Sequence, residues 1–329
     1  MLFMVTNRRI NNGEYGDEER AGKKFDYQYD YSSSDGVFTK AGRRGFEQTL
    51  MAELSRLKAS GVNTPKVGIY IHGYNTNYRE SVDVVHELEQ KLGSDELCGY
   101  PPVIVGFSWP SSGKASMYLS DREEVRDSVG AFTRFLLALN ELVTRNARTC
   151  FSTSFCIAHS MGNYLLRKGM EYLSDDLGSP MGRMLFDETV MIAPDLASGD
   201  IELDGKGRYI ADFSRRVHVY YSKHDRALKA SSVKRFGGDR LGRHGIDDYY
   251  NLRGNIVGVN AGNYANSTVL KGLEDSHGEQ VSVHSAYRYQ QNILMDILQV
   301  ISSIDREQII GRQAYSDEGG ELHNHYLIK

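Results

Sequence analysis

Residues 151–173 read FSTSFCIAHSMGNYLLRKGMEYL, and this stretch decides how the rest of the chain is interpreted. Phe151 to Ala158 is a short apolar run typical of a buried strand, and Asn163 to Leu173 has the apolar spacing of a helix. Between them, in Ala158-His159-Ser160-Met161-Gly162, the serine has a small residue two places away on each side. A serine at such a strand-to-helix junction sits on a tight turn that exposes its hydroxyl group. The stretch therefore predicts a nucleophile elbow centred on Ser160.

Short apolar runs alternate with helical patterns along most of the remaining chain. Strands are also predicted over Val67 to Ile71, Val103 to Phe107, Thr189 to Ala193, Val217 to Tyr221 and Ile256 to Val259. Helices are also predicted within 82–92, 125–143 and 293–304, with Gly93 ending the first and a capping box of Ser120 and Glu123 preceding the second. Strands that alternate with helices predict an α/β fold of the α/β-hydrolase type, in which helices cover both faces of a mostly parallel sheet.

The two ends of the chain differ from this pattern. Aromatic residues alternate with polar ones from Phe25 to Tyr31, and this period of two predicts a half-buried antiparallel strand. Together with Leu2 to Val5, it predicts an N-terminal β-hairpin region within residues 1–45. The residues from about 312 to 329 are polar and are predicted to form a poorly ordered tail. We expect one domain over residues 1–329, since α/β folds often run long as a single unit.

The composition is that of an ordinary globular protein and argues against several classes. The net charge of −4 argues against a nucleic-acid partner. No uncharged apolar stretch approaches the roughly 20 residues that span a bilayer, and residues 1–10 lack the pattern of a signal peptide. The three cysteines, Cys98, Cys150 and Cys156, have neither a metal-binding spacing nor that of a disulfide framework. These features predict a cytoplasmic protein without a membrane span.

A serine hydroxyl is a poor nucleophile unless a base takes its proton and a third group orients that base. In folds with this elbow, the acid and then the histidine follow the serine along the chain. Asp225 follows the predicted strand Val217 to Tyr221, so it lies where the carboxyl end of a late strand meets the site. Asp195, in Ala193-Pro194-Asp195 after the preceding strand, is the alternative acid.

The base is chosen from the histidines that follow the acid. Of these, His284 directly precedes the last predicted helix. The others are His244, His277, His323 and His325, of which the last two lie in the polar tail. Ser160, Asp225 and His284 are therefore the predicted nucleophile, acid and base.

Acyl transfer also needs donors for the oxyanion of the tetrahedral intermediate. One is predicted to be the backbone N–H of Met161, the residue after the nucleophile. The second is predicted to be the N–H of Tyr74, in the loop His72-Gly73-Tyr74-Asn75 after the first central strand, where a glycine allows the backbone to approach a substrate. The side chains of His72 and Asn75 are predicted to brace this loop.

Taken together, several short motifs resemble a bacterial family of α/β-hydrolases of unknown function, related to esterases and lipases. They are Thr6-Asn7-Arg8, Ile71-His72-Gly73-Tyr74-Asn75-Thr76, Phe107-Ser108-Trp109-Pro110-Ser111, Ala158 to Asn163, Ala193-Pro194-Asp195, Asp225-Arg226-Ala227-Leu228 and His284-Ser285-Ala286-Tyr287. The resemblance spans nearly the whole chain and implies a triad of Ser160, Asp225 and His284. The chain departs from the family pattern at Val283, where such proteins often have glycine, and in a longer stretch over 260–280.

These residues predict a serine hydrolase that cleaves a small-molecule acyl substrate, a carboxylic ester rather than an amide or a thioester. The mechanism passes through an acyl-enzyme and needs no metal or organic cofactor. Two alternatives stay open: an acyltransferase with the same triad, and a non-catalytic binding or scaffold protein on a hydrolase fold. The segments 111–120, 197–213 and 232–254 are predicted to cap the pocket. No motif in the sequence specifies the acyl group, the alcohol group or the oligomeric state.

Overall fold

The computed structural model describes residues 1–19, 25–32, 37–62, 65–94, 101–112, 114–150, 153–175, 184–234, 238–275 and 277–329. The strands in chain order are β1 (Leu2–Thr6), β2 (Arg8–Asn11), β3 (Glu14–Glu19), β4 (Gln28–Ser32), β5 (Phe38–Ala41), β6 (Lys66–Ile71), β7 (Val103–Ser108), β8 (Thr153–His159), β9 (Phe186–Ile192), β10 (Ser214–Tyr221), β11 (Ile256–Asn260), β12 (Arg312–Asp317) and β13 (Gly320–Ile328). The helices are α1 (Arg43–Ala59), α2 (Tyr78–Leu92), α3 (Tyr118–Cys150), α4 (Gly162–Asp175), α5 (Arg208–Asp212), α6 (Arg226–Lys234), α7 (Leu241–His244) and α8 (Gln291–Ile301).

An 11-stranded sheet has the order β12-β13-β11-β10-β9-β8-β6-β7-β1-β4-β5. From β13 to β1, each strand is parallel to its neighbours. Antiparallel pairs lie at the two ends, where β4 and β5 continue the sheet from β1 and where β12 pairs with β13. β2 and β3 form a separate two-stranded hairpin. The predicted fold class is confirmed, including the antiparallel N-terminal strands.

The central strands of the sheet contribute side chains to two cores, because successive residues point to opposite faces. Along β1, Phe3 and Val5 join one apolar cluster and Met4 joins the other. The first cluster includes side chains of α1, α3 and α4, and the second includes side chains of α2 and α8. Helices therefore cover both faces, which explains why the central strands have continuous apolar sequences.

Most of the predicted strands and helices are present in the structure. Phe151 and Ser152, with which the elbow strand was predicted to begin, lie outside the described residues. The predicted capping box is wrong, since Ser120 lies inside α3, which begins at Tyr118 after a 3₁₀ turn over Ala115–Met117. Helix α1 was not predicted, although its buried residues Phe46, Leu50 and Leu54 recur at helical spacing.

The prediction of a poorly ordered tail is also wrong. Strands β12 and β13 occupy this region, and β13 pairs in parallel with β11 from Gly258↔His325 to Asn260↔Leu327. Tyr326 and Ile328 are buried although the segment is polar overall. Pairing with the sheet satisfies the backbone N–H and C=O groups of these strands, and alternate side chains of β13 can be buried, so a largely polar segment is ordered.

The structure also bears on the features that composition suggested. Cys156 is a free, fully buried thiol in β8, while Cys98 and the side chain of Cys150 lie outside the described residues. In the described ranges, no helix combines the length and the apolar character that crossing a membrane requires.

Candidate active site

Ser160 stands on a strained turn between β8 and α4. Its φ of 52° lies in the left-handed region, which non-glycine residues seldom adopt. The Ser160 N–H donates to Ile192 O at 2.9 Å, and the Asn163 side-chain amide donates to Ala158 O at 2.8 Å. A Cβ at Gly162 would lie 2.5 Å from Ile71 O, so only glycine fits there. The local structure is therefore a sharp strand-to-helix turn around Ser160.

The loop after β6 lies directly against this turn. A Cβ at Gly73 would lie 3.0 Å from the Cβ of Ser160, so the loop backbone reaches the serine because residue 73 is glycine. The His72 Nδ1–H donates to Gly73 O at 2.7 Å, and the Trp109 Nε1–H donates to His72 O at 2.9 Å. Burial and the Arg8 charge lower the pKa of His72 to about 3, so its imidazole is neutral. His72 therefore acts as a brace for this loop.

A buried arginine connects this loop to two other segments. The Arg8 guanidinium donates to Thr76 O at 2.8 Å, to Ser111 O at 2.9 Å and to Gly16 O at 3.0 Å. Asp121, in the first turn of α3, accepts from the Asn75 N–H at 3.3 Å and from the Ser111 hydroxyl at 2.6 Å. The sequence marked Arg8 only as part of a family motif and did not indicate Asp121, because the two meet the loop from distant parts of the chain.

The backbone N–H groups of Met161 and Tyr74 belong to the two segments that meet at Ser160. Among the described residues, neither the Met161 N–H nor the Tyr74 N–H has a hydrogen-bond partner. Met161 opens the turn into α4, where helix N–H groups and the helix dipole favour negative charge.

His284 and Asp225 lie in contact, as the sequence predicted for a base and its acid. His284 is in a 3₁₀ turn over Val283–Arg288, just before α8, and Asp225 follows β10. The His284 Nδ1 is 2.6 Å from Asp225 Oδ2, and Asp225 Oδ1 accepts from the Leu228 N–H at 3.0 Å. The turn lies beside the elbow, because the His159 Nε2 is 3.0 Å from His284 O. Folding therefore brings His284 and Asp225 together at the carboxyl edge of the sheet, with the backbone of His284 against His159, the residue before Ser160.

The charges of this pair reinforce each other. Burial opposes the imidazolium form, but the Asp225 charge and its hydrogen bond outweigh burial and raise the pKa of His284 above its usual value of 6.5. Burial also opposes the ionised form of Asp225, but the His284 charge and the hydrogen bonds that Asp225 accepts lower its pKa. Asp225 is therefore ionised at neutral pH and favours a proton on Nδ1 of His284.

Asp195, the alternative acid, has other partners. Its Oδ2 accepts from the Tyr118 hydroxyl at 2.6 Å, and its Oδ1 accepts from the Ser231 hydroxyl at 2.6 Å. The Arg240 Nε lies 3.6 Å from Oδ1. Asp195 is close to the elbow through its own N–H, which donates to Ser160 O at 3.2 Å. In this structure Asp195 anchors neighbouring segments and makes no hydrogen bond with His284.

The segments that the sequence assigned to a cap meet at this anchor. Tyr118 belongs to 111–120 and Arg240 to 232–254, and Ala197 forms an isolated bridge with Arg240. Gly113 and residues 235–237 of these segments lie outside the described residues. Through Asp195, the described parts of these segments lie close to the turn at Ser160.

The remaining candidate histidines lie elsewhere. The His244 Nε2 is 3.3 Å from Asp239 Oδ1, and His277 is exposed in a turn. His325 of the tail lies between the rings of Tyr249 and Tyr315, with ring centroids 4.0 Å and 3.9 Å away. None of them contacts Asp225 in the described part of the chain.

A groove of about 1110 Å³ lies between the N-terminal strands and α2, with Tyr15, Asp30, Tyr78 and Glu89 in its lining, and it contains none of the residues around Ser160. Burial raises the pKa of Glu89 to about 8. Within the described ranges, no group of three or more His, Cys, Asp or Glu side chains is arranged to hold a metal ion.

A curated relative matches part of the chain. The curated relative alr1448 from Nostoc sp. (strain PCC 7120), named as an uncharacterized protein, is 29% identical over 184 residues. The match covers 48% of this chain and 46% of the relative, so the chain spans less than half of the relative's length.

Two solved structures are similar to the chain at low sequence identity. An inhibited form of esterase B from Lactobacillus rhamnosis is 10% identical with a TM-score of 0.38, over 74% of this chain and 79% of that chain. The Fe-lacking apo form of ESTFA is 12% identical with a TM-score of 0.37, over 82% of this chain and 95% of that chain.

A family model described as "Alpha/beta hydrolase of unknown function (DUF900)" matches residues 47–272. The matched region includes Ser160 and Asp225 and ends before His284. The resemblance inferred from the motifs is confirmed. Because the match covers well over half of the sequence, the chain belongs to this family of α/β-hydrolases of unknown function.

Proposed function

We propose that the protein is a serine hydrolase that cleaves a carboxylic ester of a small acyl substrate through an acyl-enzyme. One observation carries the proposal: the 2.6 Å contact between His284 Nδ1 and Asp225 Oδ2, placed beside a serine held at a φ of 52°. A carboxylate on Nδ1 leaves Nε2 of the imidazole as the proton acceptor, which is what an alcohol nucleophile requires. The roles are Ser160 as nucleophile, His284 as base and Asp225 as the residue that orients the base.

In this mechanism the Ser160 Oγ attacks the ester carbonyl carbon while the His284 Nε2 takes the hydroxyl proton. The negative charge that develops on the carbonyl oxygen is received by the N–H groups of Met161 and Tyr74, whose lack of other partners among the described residues supports this role. In enzymes with an oxyanion hole, one such donor contributes about 10²–10³-fold in rate.

Collapse of the tetrahedral intermediate breaks the bond to the alcohol oxygen, which takes the proton from His284. Water, deprotonated by His284, then attacks the acyl-enzyme and releases the carboxylic acid and Ser160. Asp225 stabilises the imidazolium that forms in each half of the reaction.

The cytoplasmic location predicted from the sequence stays a prediction.

Hydrolysis of p-nitrophenyl esters of increasing acyl length tests the proposal. The wild type is expected to release p-nitrophenol, and Ser160→Ala is expected to lose this activity with an unchanged melting temperature. A matched control is Ser55→Ala, at an exposed serine of α1, which should keep full activity. Full activity in Ser160→Ala would contradict the mechanism. Product analysis with added alcohols would reveal transfer to an acceptor other than water.

A further inference from the structure

His159 is the last residue of β8 and directly precedes Ser160. Its ring makes an unusual contact. The ring Nε2 is 3.0 Å from the backbone oxygen of His284. A carbonyl oxygen only accepts hydrogen bonds, so Nε2 must carry the proton and donate. The ring centroid lies 4.6 Å from that of His284 and 4.8 Å from that of Tyr287. His159 therefore packs against the turn that carries the proposed base.

The opposite side of the same ring faces the loop after β6. A Cβ at Gly73 would lie 3.3 Å from the His159 Nδ1 and 3.0 Å from the Ser160 Cβ. Behind the turn, the Tyr287 hydroxyl lies 2.8 Å from the Tyr70 hydroxyl. The ring of His159 thus fills the space between the turn with His284 and the loop with Tyr74.

The surroundings keep His159 neutral. Burial, followed by the positive charges of His284 and Arg288, lowers its pKa well below the usual value, and the hydrogen bond to His284 O opposes this only in part. A neutral imidazole with its proton on Nε2 donates to His284 O throughout the pH range in which His284 itself titrates. The contact is therefore constant while the proposed base changes its charge.

We propose that His159 is a positioning residue, whose Nε2–H fixes the backbone of His284 so that its imidazole is held at Ser160. The inference rests on the proposed function of that site. Asp225 fixes the ring of His284 at Nδ1, and His159 fixes the same residue at its carbonyl, so the side chain is held at both ends. Loss of the second anchor would let the imidazole shift relative to Ser160, and a shift of about 1 Å costs up to about 10²-fold in rate.

Two variants separate the hydrogen bond from the packing of the ring. His159→Phe keeps an aromatic ring without the N–H, and His159→Gln keeps an N–H donor at a similar reach without the ring. The measurement is the second-order rate constant for labelling of Ser160 by a fluorophosphonate probe, followed from about pH 5 to about pH 9, with melting temperatures for each protein.

His159→Phe is expected to label at least about ten-fold more slowly than wild type, with the midpoint of its pH profile lowered as the contact of His284 with Asp225 loosens. His159→Gln is expected to regain most of the lost rate. A folded Phe variant with the wild-type rate and midpoint would overturn the inference, and so would a Gln variant as slow as the Phe variant.

A measurement on the wild type keeps the inference testable if the Phe variant does not fold or if Ser160 is not labelled. In ¹⁵N spectra of the histidine side chains, His159 should be protonated at Nε2 only and should not titrate near the usual value of 6.5. A proton on Nδ1, or titration near that value, would show that the contact is absent and overturn the inference. Absence of labelling in wild type with the expected spectrum would instead contradict the proposed function.

Discussion

Asparagine at position 225 tests the role of the acid with almost no change in side-chain size. The carboxylate accepts at both oxygens, from the His284 Nδ1–H at 2.6 Å and from the Leu228 N–H at 3.0 Å. The amide oxygen of an asparagine still accepts the hydrogen bond from the Leu228 N–H. Its NH₂ group then faces the His284 Nδ1. The imidazole must respond by carrying its proton on Nε2, which is the atom that has to accept the proton of Ser160.

The expected loss is therefore large. The same change of tautomer in serine proteases lowers kcat by about 10⁴-fold, which corresponds to about 5 kcal/mol of transition-state stabilisation. We expect Asp225→Asn to lower the second-order rate constant of fluorophosphonate labelling by about 10³–10⁴-fold at neutral pH, with the protein still folded by circular dichroism.

Asp195→Asn is the matched control, since Asp195 is the alternative acid and is equally buried. Its oxygens accept from the hydroxyl groups of Tyr118 and Ser231, which rotate to suit an amide. We expect less than about a ten-fold loss of labelling rate and a small downward shift of the pH midpoint, because the Asp195 charge helps to raise the pKa of His284. If Asp195→Asn lost the greater part of the rate while Asp225→Asn kept more than about a tenth of it, our assignment of the acid would be refuted.

Three further predictions concern the base, the turn and the loop. The labelling rate of wild type should rise with pH and level off with a midpoint above 6.5, because Asp225 raises the pKa of His284 and only the neutral imidazole is a base; a midpoint below 6.5 in the rate profile would contradict this. Gly162→Ala should greatly reduce the yield of folded protein, since its Cβ would lie 2.5 Å from Ile71 O, and a normal melting temperature would show that the turn is less constrained than we infer. Arg8→Lys should lower the labelling rate and the melting temperature together, since an ammonium group cannot reproduce the guanidinium contacts with three segments, and an unchanged rate would remove Arg8 from the support of the Tyr74 loop.

The sequence predicted the centre of the fold well because local pattern and tertiary structure agree there. The apolar runs of β6, β7, β8, β9 and β10 are buried on both faces of the sheet, so each run is continuous and easy to recognise. The sharp turn at Ser160 was also predictable, because a φ of 52° at Ser160 and a backbone contact at Gly162 restrict which residues fit. Steric requirements of this kind appear directly in the sequence.

Apart from α1, whose helical spacing is present in the sequence, the features that the sequence did not predict depend on contacts between distant segments. Strands β12 and β13 are polar, and their order comes from the pairing of β13 with β11 and of β12 with β13. Asp121 contacts the loop at Asn75 across a sequence separation of 46 residues. The choice between Asp195 and Asp225 stayed open in the sequence, because both follow a strand, and only the three-dimensional partners of their oxygens distinguish them.

The central claim is that Ser160 is an activated nucleophile, and one measurement addresses it most directly. Intact-mass and peptide mass spectrometry after treatment with a fluorophosphonate probe would be applied to wild type and to Ser160→Ala. We predict a single adduct on the wild type, located on the peptide that contains Ser160, and no adduct on the folded variant. An unmodified, well-folded wild type, or an adduct of equal yield on Ser160→Ala, would contradict the claim.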